Sequence, residues 1–272
     1  MTVSTPLHTA SSADLVDANH ILAHFGIVDA FGHVSMRHPL DAERFLLARN
    51  LAPALVKTDD ILEFDLAGQP MTGMGQALYL ERFIHSEIYR ARPDVMAVVH
   101  SHAAAVLPFS VVAGAPFRPA CHMCGFLGAG AGIFDIGDVT AGPSDLLIRD
   151  SSLGRALAEA LGATNAILMR GHGSTVVAAS LKVAVYRAYY MAVNARLILE
   201  ARQLGAVQFL STEEAAAALA TENQVDRPWR VWKAAADRQA AAPKAGAKNM
   251  YIAPPFWAKG RIGAAMSSSR RR

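Results

Sequence analysis

Apolar positions along this chain follow two periods, one typical of strands and one typical of helices. Short apolar runs between turn residues predict strands at residues 32–37, 44–48, 61–65, 98–102, 132–134 and 166–169. Longer stretches with a helical period predict helices at residues 12–25, 76–90, 103–112, 152–161 and 181–204, with two more that start near Thr212 and Pro228.

Two histidines fall on one side of the predicted strand at residues 98–102. Side chains alternate across a strand, so His100 and His102 share a face, with their Cα atoms roughly 6.5 Å apart. This spacing suits two ligands of one metal ion.

A glutamate and a third histidine are the other candidate ligands. Glu81 lies on the predicted apolar stripe of Leu78, Ile84 and Ile88, and burying a carboxylate without a partner would cost many kcal/mol. His172 follows a predicted strand and stands between two glycines, which allow the backbone a close approach to a small object.

Each histidine taken alone is more often a structural residue that a backbone carbonyl satisfies. The combination of Glu81, His100, His102 and His172 favours a metal site, and three imidazoles with one carboxylate suit Zn²⁺ or Mn²⁺. A fifth or sixth coordination position would remain for substrate, which would make the site catalytic.

Composition sets limits on other classes of function. The 272 residues are 52% hydrophobic and 18% charged, enough for one full core, and no uncharged apolar run reaches the roughly 18 residues of a membrane span. The net charge of +3 equals the charge of the final three arginines, so nucleic-acid binding is not indicated. The N-terminus has no signal sequence, which points to the cytoplasm. Cys121 and Cys124 are interpreted as small packing residues rather than a redox pair.

The order of Glu81, Ala97–His102 and Arg170–Gly173 resembles the class II aldolase/adducin family, whose metal-dependent members use one glutamate and three histidines. Phe31–Arg37 is similar to the family's Gly-Asn-x-Ser-x-Arg element, except that His33 stands where the sugar-phosphate aldolases usually have asparagine. The resemblance extends over residues 12–205.

This resemblance implies an α/β protein with a single-domain, three-layer α/β/α fold around a central mixed sheet. We expect a flexible N-terminus at residues 1–10, a catalytic domain at residues 11–243, and a C-terminal tail at residues 244–272 that packs on a neighbouring subunit and has a disordered end. The family also implies a homotetramer whose active sites lie near subunit interfaces.

Two departures indicate which branch of the family the chain is similar to. Tyr79 and Leu80 stand where the sugar-phosphate aldolases have two serines for the substrate phosphate, which argues against a phosphorylated ketose. The loop that contains Arg49 and the segment Cys121–Phe126 resemble the decarboxylase branch, typified by dihydroxyphthalate decarboxylases and a pyridine-dicarboxylate decarboxylase.

The resemblance therefore implies a metal-dependent carbon–carbon lyase of aromatic compound catabolism. It would decarboxylate a hydroxylated aromatic or heteroaromatic mono- or dicarboxylic acid, with one Zn²⁺ or Mn²⁺ per subunit as Lewis acid and electron sink. Glu81 would be a ligand or a base, and Arg49 would grip a second carboxylate. His33, His122 and Tyr79 are candidate proton donors, and both histidines are also candidate substrate contacts.

Two alternatives remain open. A metal-dependent aldolase that cleaves a non-phosphorylated hydroxy acid would use the same ion for an enolate. An adducin-like interaction protein without activity would lack the metal ligands, which this chain has.

Overall fold

The computed structural model describes residues 6–241, and seven strands in that part of the chain form one mixed sheet. In chain order they are β1 (His33–Arg37), β2 (Arg44–Ala48), β3 (Ile61–Asp65), β4 (Ala97–Ser101), β5 (Gly132–Phe134), β6 (Ala166–Met169) and β7 (Gly173–Ala178). Their order across the sheet is β3-β2-β1-β4-β7-β6-β5. The neighbouring strands are antiparallel except for β5 and β6, which are parallel.

Helices cover both faces of this sheet. They are α1 (Pro6–His24), α2 (Arg82–Ala91), α3 (Leu107–Val111), α4 (Ser151–Leu161), α5 (Leu181–Leu204), α6 (Thr212–Ala218) and α7 (Asp226–Ala241). The core cluster on one face contains residues of α1, α5 and α7, and the cluster on the other face contains residues of α2 and α4. No helix among the described residues is long and apolar enough to span a membrane.

The central strand β4 shows why two apolar layers form. All five of its residues are buried, and alternation sends Ala97 and Val99 into the α1/α5 cluster while Val98 enters the α2/α4 cluster. The predicted three-layer α/β/α fold with a central mixed sheet is therefore confirmed.

Most predicted elements agree with the structure. The strands β2, β3, β5 and β6 have the expected bounds, β1 and β4 agree within one residue at each end, and α5 has the expected bounds. The first helix begins at Pro6 rather than Ser12 and is followed by Gly26, whose φ of 65° suits the left-handed end of a helix. Residues 244–272, expected to form a tail against a neighbouring subunit, lie outside the described residues.

Two helix predictions were too long. The helix expected from residue 76 begins only at Arg82, because the preceding segment bonds to a neighbouring loop: the Asn50 N–H donates to the Ala77 carbonyl, and the Tyr79 hydroxyl donates to the Leu51 carbonyl. The helix expected at residues 103–112 is reduced to α3, which has Pro108 in its first turn, a favourable place for a residue without an N–H.

The strand β7 was not predicted. Both of its faces are buried, so its residues do not alternate between apolar and polar, and the alternation that identifies a half-exposed strand is missing. It lies between β4 and β6 and joins the two halves of the sheet.

Candidate metal centre

Three separate parts of the chain meet at one end of the sheet. His100 lies near the end of β4, opposite His33 of β1 in the strand register, and His102 follows the strand end. His172 lies in the turn between β6 and β7, and Glu81 is the residue just before α2.

Two glycines hold His172 in this position. Gly171 has a φ of 65°, a backbone conformation that favours glycine. A Cβ on Gly173 would lie 2.3 Å from the Ser101 carbonyl oxygen, so only glycine lets β7 start this close to the end of β4.

The four candidate ligand side chains converge. Their ligand atoms all lie within 4.8 Å of one another, and the Nε2 atoms of His100 and His102 are 3.0 Å apart. Two nitrogens that bind one ion at about 2.0–2.1 Å lie about 3 Å apart, because neighbouring ligands subtend roughly 90–110° at the ion. The residues present therefore fit a divalent metal ion.

The two oxygens of the Glu81 carboxylate have different partners. Oε1 accepts a hydrogen bond of 2.9 Å from the Ile148 N–H. Oε2 lies 3.4 Å from His172 Nε2 and 3.7 Å from His100 Nε2. Glu81 is only 7% exposed, so one oxygen of a buried carboxylate faces the three imidazoles.

Asp29 supports His102 from outside the cluster and was not predicted from the sequence. Its Oδ1 lies 3.2 Å from His102 Nδ1 and accepts the backbone N–H groups of Phe31 and Gly32. Burial opposes ionisation of Asp29, but these hydrogen bonds outweigh it and lower the pKa of the carboxyl to about 2. An ionised Asp29 holds the His102 proton on Nδ1, which leaves the Nε2 lone pair for a metal. The Asp-x-x-Gly turn before β1 was the available signal.

A second buried histidine lies behind His33 and was also missed. His33 Nδ1 is 2.6 Å from His85 Nε2, and His85 Nδ1 is 2.6 Å from the Ser35 hydroxyl. The Ser35 hydroxyl is in turn 2.8 Å from the Tyr89 hydroxyl. Burial lowers the pKa of His85 to about 3, and burial followed by the neighbouring His85 lowers the pKa of His33, so both imidazoles are neutral.

A cavity of about 520 Å³ opens over the cluster. Its polar lining residues are Glu81, His102, His172, His33, Asn50 and Asp145. The other lining residues are Phe31, Tyr79, Leu80, Leu146, Leu147 and Gly171, which are apolar or aromatic apart from the glycine. No lysine or arginine lines the cavity in the described part of the chain.

The predicted site residues separate into two groups. The structure brings Glu81, His100, His102 and His172 together, with His33 and Tyr79 beside them. Tyr79 donates its hydroxyl to the Leu51 carbonyl, and burial raises the pKa of this phenol to about 12.

Arg49 and His122 do not line the cavity. The Arg49 Nε donates to Asp60 Oδ1 at 2.6 Å, and the Arg49 side chain is 33% exposed. His122 is exposed at the start of a short 3-10 turn (His122–Leu127) that packs against α5 and α6. The proposed contacts of both residues with substrate stay predictions.

Comparison with known proteins agrees with this geometry. Residues 13–199 match the model of the class II aldolase and adducin N-terminal domain. The chain belongs to the class II aldolase and adducin family. Its fold is similar to that of an L-fuculose 1-phosphate aldolase from Glaciozyma antarctica, with a TM-score of 0.69 and 23% identity over 88% of this chain and 94% of that one.

Two curated relatives are decarboxylases. A protein named decarboxylase tropJ, from Talaromyces stipitatus, is 38% identical over 237 residues, which covers 78% of this chain and 89% of the relative. A 3,4-dihydroxyphthalate decarboxylase from Arthrobacter keyseri is 32% identical over 216 residues, which covers 73% of this chain and 81% of the relative. The predicted similarity to the decarboxylase branch is therefore confirmed.

Removal of two candidate ligands tests the metal centre directly. We expect the double variant His100→Ala, His102→Ala to lose stoichiometric metal, measured by elemental analysis of the purified protein, and to keep its circular dichroism spectrum. Structural histidines would instead give a stability loss of about 1–3 kcal/mol with unchanged metal content. Full retention of metal would contradict the assignment.

Asp29 provides a second test, on metal affinity. We expect Asp29→Ala to weaken metal binding by about 10- to 100-fold in a competition titration with a chelator, because His102 loses the group that orients it. Asp29→Asn retains the hydrogen-bond acceptor and should weaken binding less. Asp41→Ala is the control, because Asp41 Oδ1 likewise accepts a backbone N–H, from Glu43, in the turn at the end of β1 opposite His33. Equal effects of the two alanine variants would remove Asp29 from the metal centre.

Proposed function

We propose that this protein is a divalent-metal-dependent decarboxylase of a hydroxylated aromatic or heteroaromatic carboxylic acid. The observation that carries the proposal is a Glu/His₃ cluster that opens into a cavity with apolar and aromatic walls. The decarboxylase relatives support the same reaction class. Small-molecule substrates, a cytoplasmic location and a homotetramer with sites near subunit interfaces belong to this proposal.

The cluster residues would hold the ion and leave room for substrate. Nitrogens of His100, His102 and His172 and the Glu81 Oε2 are the four candidate ligand atoms. When bound, Zn²⁺ or Mn²⁺ supplies Lewis acidity toward the electron pair that remains when the carbon–carbon bond breaks. The Ile148 N–H holds Glu81 Oε1, which favours a ligand role for Glu81 over that of a mobile base.

The walls of the cavity suit a flat apolar ring. Tyr79 and Leu80, which replace the phosphate-binding serines of the sugar-phosphate aldolases, both line the cavity together with Leu146. Side chains of this kind bind a ring by excluding water from its faces. They offer no hydroxyl pair to a phosphate, and their apolar surface suits the ring of an aromatic acid better than the hydroxyl groups of a sugar.

Loss of CO₂ leaves an electron pair on the ring carbon, and a proton must take the place of the carboxylate. Among the three candidate donors, His33 is favoured because it lines the cavity with its Nδ1 held by His85. If the hydrogen-bond chain runs from Tyr89 through Ser35 and His85, His33 Nδ1 is an acceptor. The His33 Nε2 then carries the N–H at the cavity. Because His33 is neutral, it gives up this proton only as His85 Nε2 passes a proton to His33 Nδ1, and Ser35 and Tyr89 replace that proton in turn. The negative charge of the ring carbon is thereby moved to the Tyr89 oxygen, next to the Arg37 guanidinium.

Product analysis tests the reaction class. Purified protein, stripped of metal and reloaded with Zn²⁺ or Mn²⁺, is incubated with a panel of ortho-hydroxy aromatic acids, and released CO₂ is measured. We expect metal-dependent release of CO₂ in stoichiometric amounts with the ring product. An aldehyde from a non-phosphorylated hydroxy acid would identify an aldolase instead, and equal CO₂ release without metal would contradict the mechanism.

The same assay examines Arg49. Comparison of matched mono- and dicarboxylic acids with wild type and Arg49→Lys separates a carboxylate clamp from a structural ion pair with Asp60. The lysine keeps the charge but loses the planar fork, so a clamp would lose roughly 30- to 1000-fold in kcat/KM on the dicarboxylate alone. Equal effects on both substrates would leave Arg49 with the structural role.

The His33→Asn variant tests the proton donor. We expect kcat to fall by about 100-fold or more, with bound metal unchanged and a smaller change in KM, because asparagine cannot supply the proton. His20→Asn is the control, since His20 is a partly buried histidine that contacts the Val56 carbonyl instead. A kcat close to wild type in His33→Asn would exclude His33 as the donor.

A further inference from the structure

The two cysteines of this chain face each other away from the metal centre. Cys121 has an extended backbone and precedes the 3-10 turn that contains Cys124, and the two Sγ atoms are 3.2 Å apart. The sequence pattern favoured two packing residues, but packing does not require two thiols to point at one another. The observed contact therefore calls for a chemical explanation.

The geometry is close to that of a disulfide. An S–S bond is about 2.05 Å long, so about 1 Å of approach would join these sulfurs. Both cysteines belong to one short turn, which Gly128 ends with a φ of 55°. The pair thus requires little backbone movement to become covalent.

The two thiols are chemically unequal. Cys121 is partly exposed and Cys124 is buried. A hydrogen bond from Cys124 lowers the pKa of Cys121 to about 7, against burial and with help from the Met123 and Cys124 N–H groups. The same contact with Cys121, followed by burial, raises the pKa of Cys124. An accessible thiolate next to a protected thiol is the arrangement of an attacking and a resolving cysteine.

We propose that Cys121 and Cys124 form a thiol–disulfide exchange site for small-molecule disulfides of the glutathione type. The Cys121 thiolate attacks one sulfur of the small disulfide, forms a mixed disulfide and releases one small thiolate. The Cys124 thiol then loses its proton and attacks the Cys121 sulfur, which forms the protein disulfide and releases the second small thiolate. The protein loses two electrons and two protons, and the small disulfide is reduced to two thiols.

The first step makes the second one easier. Once Cys121 is part of a mixed disulfide, it no longer accepts a hydrogen bond as a thiolate, and its charge no longer opposes ionisation of Cys124. Both contributions that Cys121 makes to the raised pKa of Cys124 are then removed, and burial remains. The single Cys124 S–H has one other acceptor within reach, the Tyr190 carbonyl at 3.4 Å, and the new disulfide gives up that alternative contact as well.

A metal role for the pair is less well supported. Two thiolates are half of a tetrahedral zinc site, and among residues 6–241 no third histidine, cysteine, aspartate or glutamate joins them in a group able to hold an ion. The site is independent of the proposed decarboxylase function, because neither cysteine lines the cavity over the cluster.

Mass spectrometry of the folded protein tests the exchange. Full-length protein is incubated with glutathione disulfide under native conditions, quenched with acid and weighed intact. We expect wild type to lose two hydrogen atoms without a retained adduct, Cys124→Ser to stop with one glutathione on Cys121, and Cys121→Ser to react at least about tenfold more slowly than Cys124→Ser. Cys124→Ala replaces Cys124→Ser if a buried serine lowers the yield of folded protein.

Three results would overturn the proposal. In the first, the folded wild-type protein stays fully reduced while the denatured protein reacts. In the second, the wild-type protein retains a stable mixed disulfide with glutathione. In the third, the two single variants react with glutathione disulfide at equal rates. A parallel incubation with Zn²⁺ tests the metal alternative. The two cysteines would be assigned to a metal site instead if the His100→Ala, His102→Ala variant bound stoichiometric zinc and the Cys121→Ser variant lost that zinc.

Discussion

The buried carboxylate of Glu81 is the constraint around which the functional end of this protein is arranged. An ionised carboxylate that is 7% exposed needs opposite charge or several hydrogen bonds, because desolvation costs several kcal/mol. Among its observed contacts, the Ile148 N–H satisfies one oxygen, and the second faces His172 and His100. The divalent ion of the proposed function would supply the missing charge from among these imidazoles. Glu81 thereby connects the start of α2, the segment before α4 and the ends of the central strands.

Polar side chains beneath this end of the sheet keep the strands in place. Arg37 is buried and donates to the backbone carbonyls of Val95, Tyr89 and Arg92, which ties β1 to the end of α2. The hydrogen-bond chain of His33, His85, Ser35 and Tyr89 continues from this contact to the cavity. A buried polar network that is satisfied throughout holds its members in one arrangement, which explains how the neutral imidazoles of His33 and His85 are held beside the candidate metal ligands.

The cavity wall separates this chain from relatives of the same fold. The fold is shared with a sugar-phosphate aldolase, so architecture alone does not select a reaction. Under the proposed function, selection lies in the wall, where Tyr79 and Leu80 stand at the positions for which the family resemblance implies two serines. The Tyr79 hydroxyl is turned away to the Leu51 carbonyl, which leaves its ring beside His33 and makes the wall more apolar than the sequence indicates.

Local sequence patterns were sufficient to predict the four metal-ligand candidates and most strands of the sheet. His100 and His102 follow from the two-residue period of a strand, His172 from its flanking glycines, and α5 from a long helical stripe, because all of these are local properties. Glu81 was predicted as a ligand because a carboxylate on the apolar stripe of a helix needs a partner. Its carboxylate is buried and does need one, but Glu81 precedes α2 rather than lying within the helix.

Features that depend on contacts between distant residues become visible in the three-dimensional fold alone. The pairing of Asp29 with His102 and of His33 with His85 joins residues more than fifty positions apart, and no local pattern encodes such a contact. Strand β7 was hidden because burial on both faces removes alternation. Arg49 and His122 stay predicted substrate contacts, but their surroundings follow from tertiary contacts: Arg49 pairs with Asp60, and His122 is exposed at the start of its 3-10 turn. Residue type gives a side chain its chemistry, but packing determines which cavity it reaches.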